Sequence, residues 1–157
     1  MKVAFTGHRP DKLGNYVPDS EPERRVRAAL TTYLTALKED RPPLRAISGM
    51  ALGVDQWAAE TCVSLGIPFT AAVPFVGQEK RWRWPAQVHY RNLLAKASDV
   101  VVVCPGEYRP YMLQKRNEWM VDHCDLLIAV WDGSEGGTAN CVRYARHREC
   151  QIKQLEW

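Results

Sequence analysis

Five near-continuous apolar runs constrain this chain more than any other feature: Val3 to Thr6, Leu44 to Ser48, Phe69 to Pro74, Val100 to Cys104 and Leu126 to Trp131. A strand with one wet face alternates apolar and polar residues. A run without alternation belongs to a strand buried on both faces, which is the situation of parallel strands. The runs therefore predict a mainly parallel sheet with helices on both faces. At 157 residues, with 46% hydrophobic and 25% charged, the chain has the length and the apolar content for one domain with a proper core.

The segments between the runs carry the helical signals. Ser20 can cap a helix over Glu21 to Lys38, with Glu23 reaching back to complete a capping box. Val26, Leu30, Tyr33, Leu34 and Leu37 then form one apolar stripe at helical spacing, a core face that can instead pack across a homodimer. Arg41-Pro42-Pro43 breaks the chain before the second run. Val54, Trp57, Ala58, Thr61 and Cys62 predict a helix over Gly53 to Leu65, stopped at Gly66. Further helices are expected over Pro85 to Ala97, Leu113 to His123 and Gly137 to Glu149. Strand and helix alternate throughout, so the expected fold is a single-domain, Rossmann-like, doubly wound α/β sheet of about five or six strands.

Composition narrows the function classes. The start, Met1 to Arg9, turns polar too early for a leader peptide, and no apolar run approaches the length of a membrane helix, so a cytoplasmic protein away from membranes is expected. Five cysteines, Cys62, Cys104, Cys124, Cys141 and Cys150, include no Cys-x-x-Cys pair and read as reduced thiols packed in the core. The four histidines show no ligand spacing, so no metal site and no cofactor are expected. A net charge of +3 permits phosphate binding without requiring a long nucleic-acid footprint.

In a doubly wound sheet, ligands bind beyond the carboxyl ends of the strands. Thr6-Gly7-His8-Arg9-Pro10 follows the first run: a glycine turn and a cation able to offer N–H groups and a guanidinium to an anion, or a plain tight turn with a surface arginine. Ser48-Gly49-Met50-Ala51-Leu52-Gly53-Val54-Asp55 follows the second. Its glycines allow close backbone approach at a helix N-terminus, and Asp55 can cap that helix or accept from a ribose. This spacing is neither a dinucleotide fingerprint nor a P-loop. Asp132-Gly133-Ser134-Glu135-Gly136-Gly137-Thr138 follows the fifth run and is a further glycine turn that enters a helix. Convergence of three such turns on one sheet edge predicts a phosphate-recognising pocket.

One more segment reaches the same rim. Gln78-Glu79-Lys80-Arg81-Trp82-Arg83-Trp84 mixes cations with indoles. It reads first as a lid whose Trp82 or Trp84 stacks on a nucleobase, second as buried packing, and third as a groove for single-stranded DNA. Tyr108, Pro110 and Tyr111 read as loop packing.

These segments together resemble the SLOG superfamily, the Rossmann-like group that contains the DNA-processing protein DprA, the "lonely guy" phosphoribohydrolases and the YpsA-like proteins. The YpsA-like branch is the nearest in appearance. The resemblance rests on Thr6-Gly7-His8-Arg9, Ser48 to Asp55, Pro74-Phe75 with Gln78-Glu79, Arg116-Asn117, and Gly136-Gly137-Thr138, spread in order over nearly the whole chain. It implies a nucleotide, or a cyclic or ADP-ribose-type nucleotide derivative, held by those loops in a sensor, carrier or sequestering module. Arg116-Asn117 would lie near the ligand at a helix start. It also exposes a departure: the phosphoribohydrolases have a glutamate three residues after the Gly-Thr turn, and here that position is Cys141. A thiol is a poor substitute for that acid/base, so hydrolysis of a nucleoside monophosphate, like DprA-style binding of single-stranded DNA, stands as an alternative to simple ligand binding.

Overall fold

A computed structural model describes residues 1–157. In chain order the elements are β1 (Lys2–Gly7), a single 3₁₀ turn (Pro10–Lys12), α1 (Glu21–Asp40), β2 (Arg45–Ser48), α2 (Val54–Ser64), β3 (Phe69–Val73) and α3 (Trp84–Leu94). They continue with β4 (Asp99–Val102), α4 (Tyr111–Asp122), β5 (Leu126–Val130), α5 (Gly137–His147) and β6 (Gln151–Gln154). All six strands join one sheet in the order β4-β3-β2-β1-β5-β6, and every pairing is parallel. The doubly wound, Rossmann-like α/β sheet is thus present, with helices on both faces.

The apolar runs work as expected in the middle of the sheet. One face, with Val3, Phe5, Ala46, Phe69, Ala71, Val73, Ile128 and Val130, packs under α1, α2 and α3. The other, with Ala4, Ile47, Ala72 and Leu127, packs under α4 and α5 through Met120, Val121, Cys141 and Ala145. The stripe of α1 is spent within this core, since Val26, Leu30 and Leu34 are buried in it and Tyr33 and Leu37 pack against it.

Two strands depart from that pattern. β4 is an edge strand, and its Val100 and Val102 keep 45% and 44% of their surface exposed, so the fourth run is not buried on both faces. β6, read from Gln-Ile-Lys-Gln, shows no apolar run because it forms the other edge and faces water. At the start of α1, Ser20 accepts from the Glu23 N–H at 3.4 Å, but the Glu23 carboxylate accepts from the N–H of Asp19 rather than of Ser20. The expected capping box is therefore displaced by one residue.

The order of strands creates one switch point. From β1 the chain turns onto α1 on one face, whereas from the neighbouring β5 it turns onto α5 on the other. The two loops diverge and leave a crevice between them. His8 bridges it: its Nε2 lies 2.8 Å from Asp132 Oδ1, which also accepts from the Ser134 N–H at 2.9 Å. Together with the Ser134 hydroxyl, these contacts hold the Asp132 carboxyl below the usual carboxylate range.

Gly53 is a tight joint of this edge. Its φ of +93° lies in the region that side chains avoid, and an added Cβ would stand 2.7 Å from the His8 carbonyl oxygen. Gly53→Ala is expected to lower stability by about 1–3 kcal/mol from the backbone conformation alone. Urea unfolding of the two proteins checks this.

Candidate ligand-binding cleft

Two adjoining cavities open at the carboxyl ends of the strands. The polar one, about 330 Å³, sits at the β1/β5 switch point and is lined by Thr6 to Arg9, Asp11, Lys12, Ala51, Asp55, Leu113, Arg116, Asn117 and the turn Ser134 to Thr138. The second, about 390 Å³, is walled by Phe75, Gln78, Trp82, Tyr108 and Leu52, with Lys80 and Arg81 at its rim. Arg9, Ala51 and Leu113 line both, so the cavities form one bipartite cleft. Each has the volume of an ordinary small-ligand site.

The floor of the polar cavity is a buried ion pair. Arg116 comes from the second turn of α4 and reaches across the strand ends, where Nη1 donates to the Gly49 carbonyl and lies 3.8 Å from Asp55 Oδ2. Its Nε donates to Asn117 Oδ1 at 2.9 Å. Asp55 Oδ2 also accepts from the Ala51 N–H at 3.3 Å. Burial pushes the Asp55 carboxyl up and the Arg116 guanidinium down, and each charge opposes the other's shift. A Cβ on Gly49 would collide with the Arg116 guanidinium and stand 2.6 Å from Asp55 Oδ2, so only glycine fits against the pair.

The β2–α2 loop is drawn tight behind that floor. Ser48 Oγ accepts from the Met50 N–H at 3.1 Å and donates to the Asp55 carbonyl at 2.7 Å, while Met50, at φ +60°, sends its side chain into the core. The Val54 N–H at the start of α2 points at the His8 carbonyl, 3.5 Å away. Ser48, Gly49, Met50 and Gly53 are consequently buried behind the cavity wall, and the N-terminus of α2 is covered by the β1 loop.

The N-terminus of α5 is arranged differently. Its N-cap is Gly136, no side chain caps it, and Gly136, Gly137 and Thr138 all line the polar cavity. A Cβ on Gly136 or Gly137 would meet nothing within 4 Å. The first N–H groups of a helix lack intrahelical partners, and with the helix dipole they make an anion site. Arg9 and Lys12 stand across from them, with Lys12 Nζ donating to Ser134 Oγ at 2.8 Å.

The aromatic cavity takes shape from three rings. Phe75 and Tyr108 pack with centroids 5.1 Å apart, and Trp82 stands edge-on to Tyr90 at 5.3 Å. Trp84, by contrast, is 67% exposed and sits beneath the Arg91 guanidinium, outside the cleft. Pro74 is buried at the base of the loop, where its carbonyl accepts from the Cys104 N–H at 3.0 Å.

Most residues singled out in the sequence do meet here: Thr6, Gly7, His8, Arg9, Ala51, Asp55, Arg116, Asn117, Gly136, Gly137 and Thr138 line one cavity, and Phe75, Gln78 and Trp82 the other. Arg116-Asn117 lies in the second turn of α4, not at its start, because α4 begins at Tyr111. Cys141 lies in the core beneath α5, with burial pushing its thiol up to about 11, and it faces the sheet rather than the cleft. Tyr108, Leu113 and Lys12 were not singled out as site residues. Tyr108 follows β4 at the same rim, and Leu113 precedes Arg116 and Asn117 by three and four residues on one helix face, so both carried a usable signal. The five cysteines do not all pack in the core either, since Cys124 and Cys150 are only half-buried and face each other.

Replacing Asp55 with Ala would strand the Arg116 charge, and Asp55→Ala is expected to cost about 3–5 kcal/mol. A double change to Asp55→Leu and Arg116→Met should recover much of that loss in the same urea titration.

Residues 3–156 match the model of the YspA SLOG family. Among curated proteins, the chain is similar to the SPbeta prophage-derived protein YoqJ of Bacillus subtilis strain 168, at 39% identity over 119 residues, which is 65% of this chain and 69% of the relative. It is also similar to a UPF0398 protein of Bacillus thuringiensis strain Al Hakam, at 29% identity over 160 residues, 98% of this chain and 86% of the relative. Among solved structures, DNA processing protein A from Helicobacter pylori aligns with a TM-score of 0.69 at 18% identity, covering 98% of this chain and 64% of that one. At that identity the likeness concerns the fold.

Proposed function

The chain belongs to the YspA SLOG family, and from that premise we propose that its cleft binds a nucleotide or nucleotide-derived ligand without turning it over. The observation that carries this reading is the uncapped N-terminus of α5, open to a polar cavity that continues into an aromatic one. A phosphate satisfies the free N–H groups of Gly137 and Thr138 and the charges of Arg9 and Lys12. Asn117 is then in position to meet the sugar, and the base lies against Phe75, Trp82 and Tyr108, where stacking on an aromatic ring contributes about 1–3 kcal/mol. Gly-rich turns suit this role because the ligand takes the space a side chain would fill.

Binding without turnover is favoured by the position of Cys141. The residue at the position of the hydrolytic carboxylate is a thiol, buried in the apolar layer under α5 and not part of the cavity lining. Asp55 is already committed to Arg116 and to the Ala51 N–H.

A second reading rests on the rim. Lys80, Arg81 and the exposed Trp84 under Arg91 extend cations and an indole beyond the cleft. The H. pylori protein of similar fold is described for its single-stranded DNA binding mode. This reading requires affinity that grows with strand length and falls steeply with salt.

The deciding experiment combines mass spectrometry of any small molecule released on denaturation with a thermal-shift screen of nucleotides. A ligand at a hundred times its Kd stabilises the folded state by about 2.7 kcal/mol, an easily seen shift. A nucleotide recovered intact supports binding, free base with ribose phosphate supports hydrolysis, and a response to oligonucleotides alone supports the second reading.

Gly137→Glu separates the site from the fold. A carboxylate in the first turn suits the helix dipole and meets open space, so apo stability should hold or rise slightly. The same charge competes with phosphate, and the nucleotide-induced shift should vanish. Tyr108→Ala should weaken binding by about 5- to 150-fold, as loss of one stacking partner requires, measured by calorimetric titration.

A further inference from the structure

The end of the sheet opposite the cleft carries a second chemically distinct place. Cys124 follows α4 just before β5 begins, and Cys150 follows α5 just before β6 begins. Because β5 and β6 are neighbours and parallel, the two helix exits lie side by side, although 26 residues separate them in the chain. Their Sγ atoms stand 3.8 Å apart. Cys62, Cys104 and Cys141 are buried, whereas Cys124 and Cys150 are half-buried and both line an open hollow with Arg41 and Arg148.

We propose that Cys124 and Cys150 form a reversible dithiol/disulfide site that is oxidised by a low-molecular-weight disulfide. A disulfide needs its sulfurs about 2.05 Å apart, so each must move by less than about 1 Å. The contacts given up are weak: Cys124 donates to the Val121 carbonyl at 3.6 Å and Cys150 to that of Gln151 at 3.4 Å. The hollow, also lined by Asp122, Asp125 and Glu149, admits a small disulfide that carries both carboxylates and ammonium groups. Arg41, paired with Asp40 at 2.8 Å, and Arg148, donating to Asp122 at 2.9 Å, supply the cations that such a molecule meets there and the acidic residues the anions.

The chemistry balances in two exchanges. Burial and the facing Cys150 sulfur push the Cys124 thiol up, so it rests protonated and Cys150 is the first nucleophile. The Cys150 thiolate attacks one sulfur of oxidised glutathione. That S–S bond breaks, a mixed disulfide forms on Cys150, and one glutathione leaves as thiolate and takes up a proton. Cys124 then loses its proton and attacks the Cys150 sulfur, forming the Cys124–Cys150 bond and releasing the second glutathione. Two protein thiols are oxidised and one glutathione disulfide is reduced. The product ties the exits of α4 and α5, which already share Asp122 through the Tyr144 hydroxyl at 3.0 Å and Arg148.

The test is to treat the folded full chain with oxidised glutathione, quench with iodoacetamide, and map peptides by mass spectrometry. The expected result is loss of two hydrogens and a Cys124–Cys150 cross-linked peptide, reversed by dithiothreitol, with Cys62, Cys104 and Cys141 alkylated only after denaturation. Cys124→Ser and Cys150→Ser, checked by circular dichroism to retain the fold, should each abolish the cross-link. In Cys124→Ser the reaction should stop at glutathione on Cys150. Glutathione on both cysteines without a cross-link, a cross-link through another cysteine, or a native chain that resists conditions oxidising the denatured chain would each overturn the proposal.

Discussion

An arginine that keeps only 5% of its surface exposed must have its charge compensated where it sits, because moving an unpaired charge out of water costs several kcal/mol. Arg116 is compensated by Asp55 and by the Gly49 carbonyl, and the rest of the cleft edge depends on that arrangement. The pair joins α4, which arrives from one edge of the sheet, to the β2–α2 loop near its centre. It requires glycine at position 49, keeps the Asp55 carboxylate turned back toward Ala51, and sets the floor on which the polar cavity rests.

The same joint explains why three glycine turns are not equivalent. The turn at α2 is pulled inward, with Ser48 tying Met50 to Asp55 and the His8 carbonyl lying over the first N–H of the helix. The turn at α5 has no such cover. Its glycines face open space, and its free N–H groups look across the cavity toward Arg9 and Lys12. Field and space therefore favour an anion at α5, while the α2 turn acts as scaffold. The aromatic cavity, joined through Arg9, Ala51 and Leu113, gives the cleft an apolar end and a charged end.

Much of the fold was legible because burial leaves a compositional record. Runs such as Val3 to Thr6 and Leu126 to Trp131 carry no alternation, since both faces of their strands are covered. The edges were less legible for the complementary reason. β6 is polar because water satisfies its outer side, and β4 looks like an inner strand although Val100 and Val102 remain half-exposed. The helix stop at Gly66 follows from turn chemistry, whereas Arg116 sits a turn deeper in α4 than its sequence suggests, because the helix takes in Tyr111, which reads as loop.

For the cleft, the chain alone determined which loops would meet: residues following β1, β2 and β5 must gather at one edge once the strands are parallel, whatever their side chains do. It also determined that hydroxyls, glycines and cations would be available there, and that position 141 would hold no carboxylate. Only the tertiary structure decided which helix N-terminus stays open, that Arg116 is spent on Asp55, that Tyr108 and Leu113 complete the walls, and that Cys124 meets Cys150. Local spacing encodes the period of a helix or strand. Which donors remain free depends on contacts between segments far apart in the chain, and those exist only when the sheet is assembled.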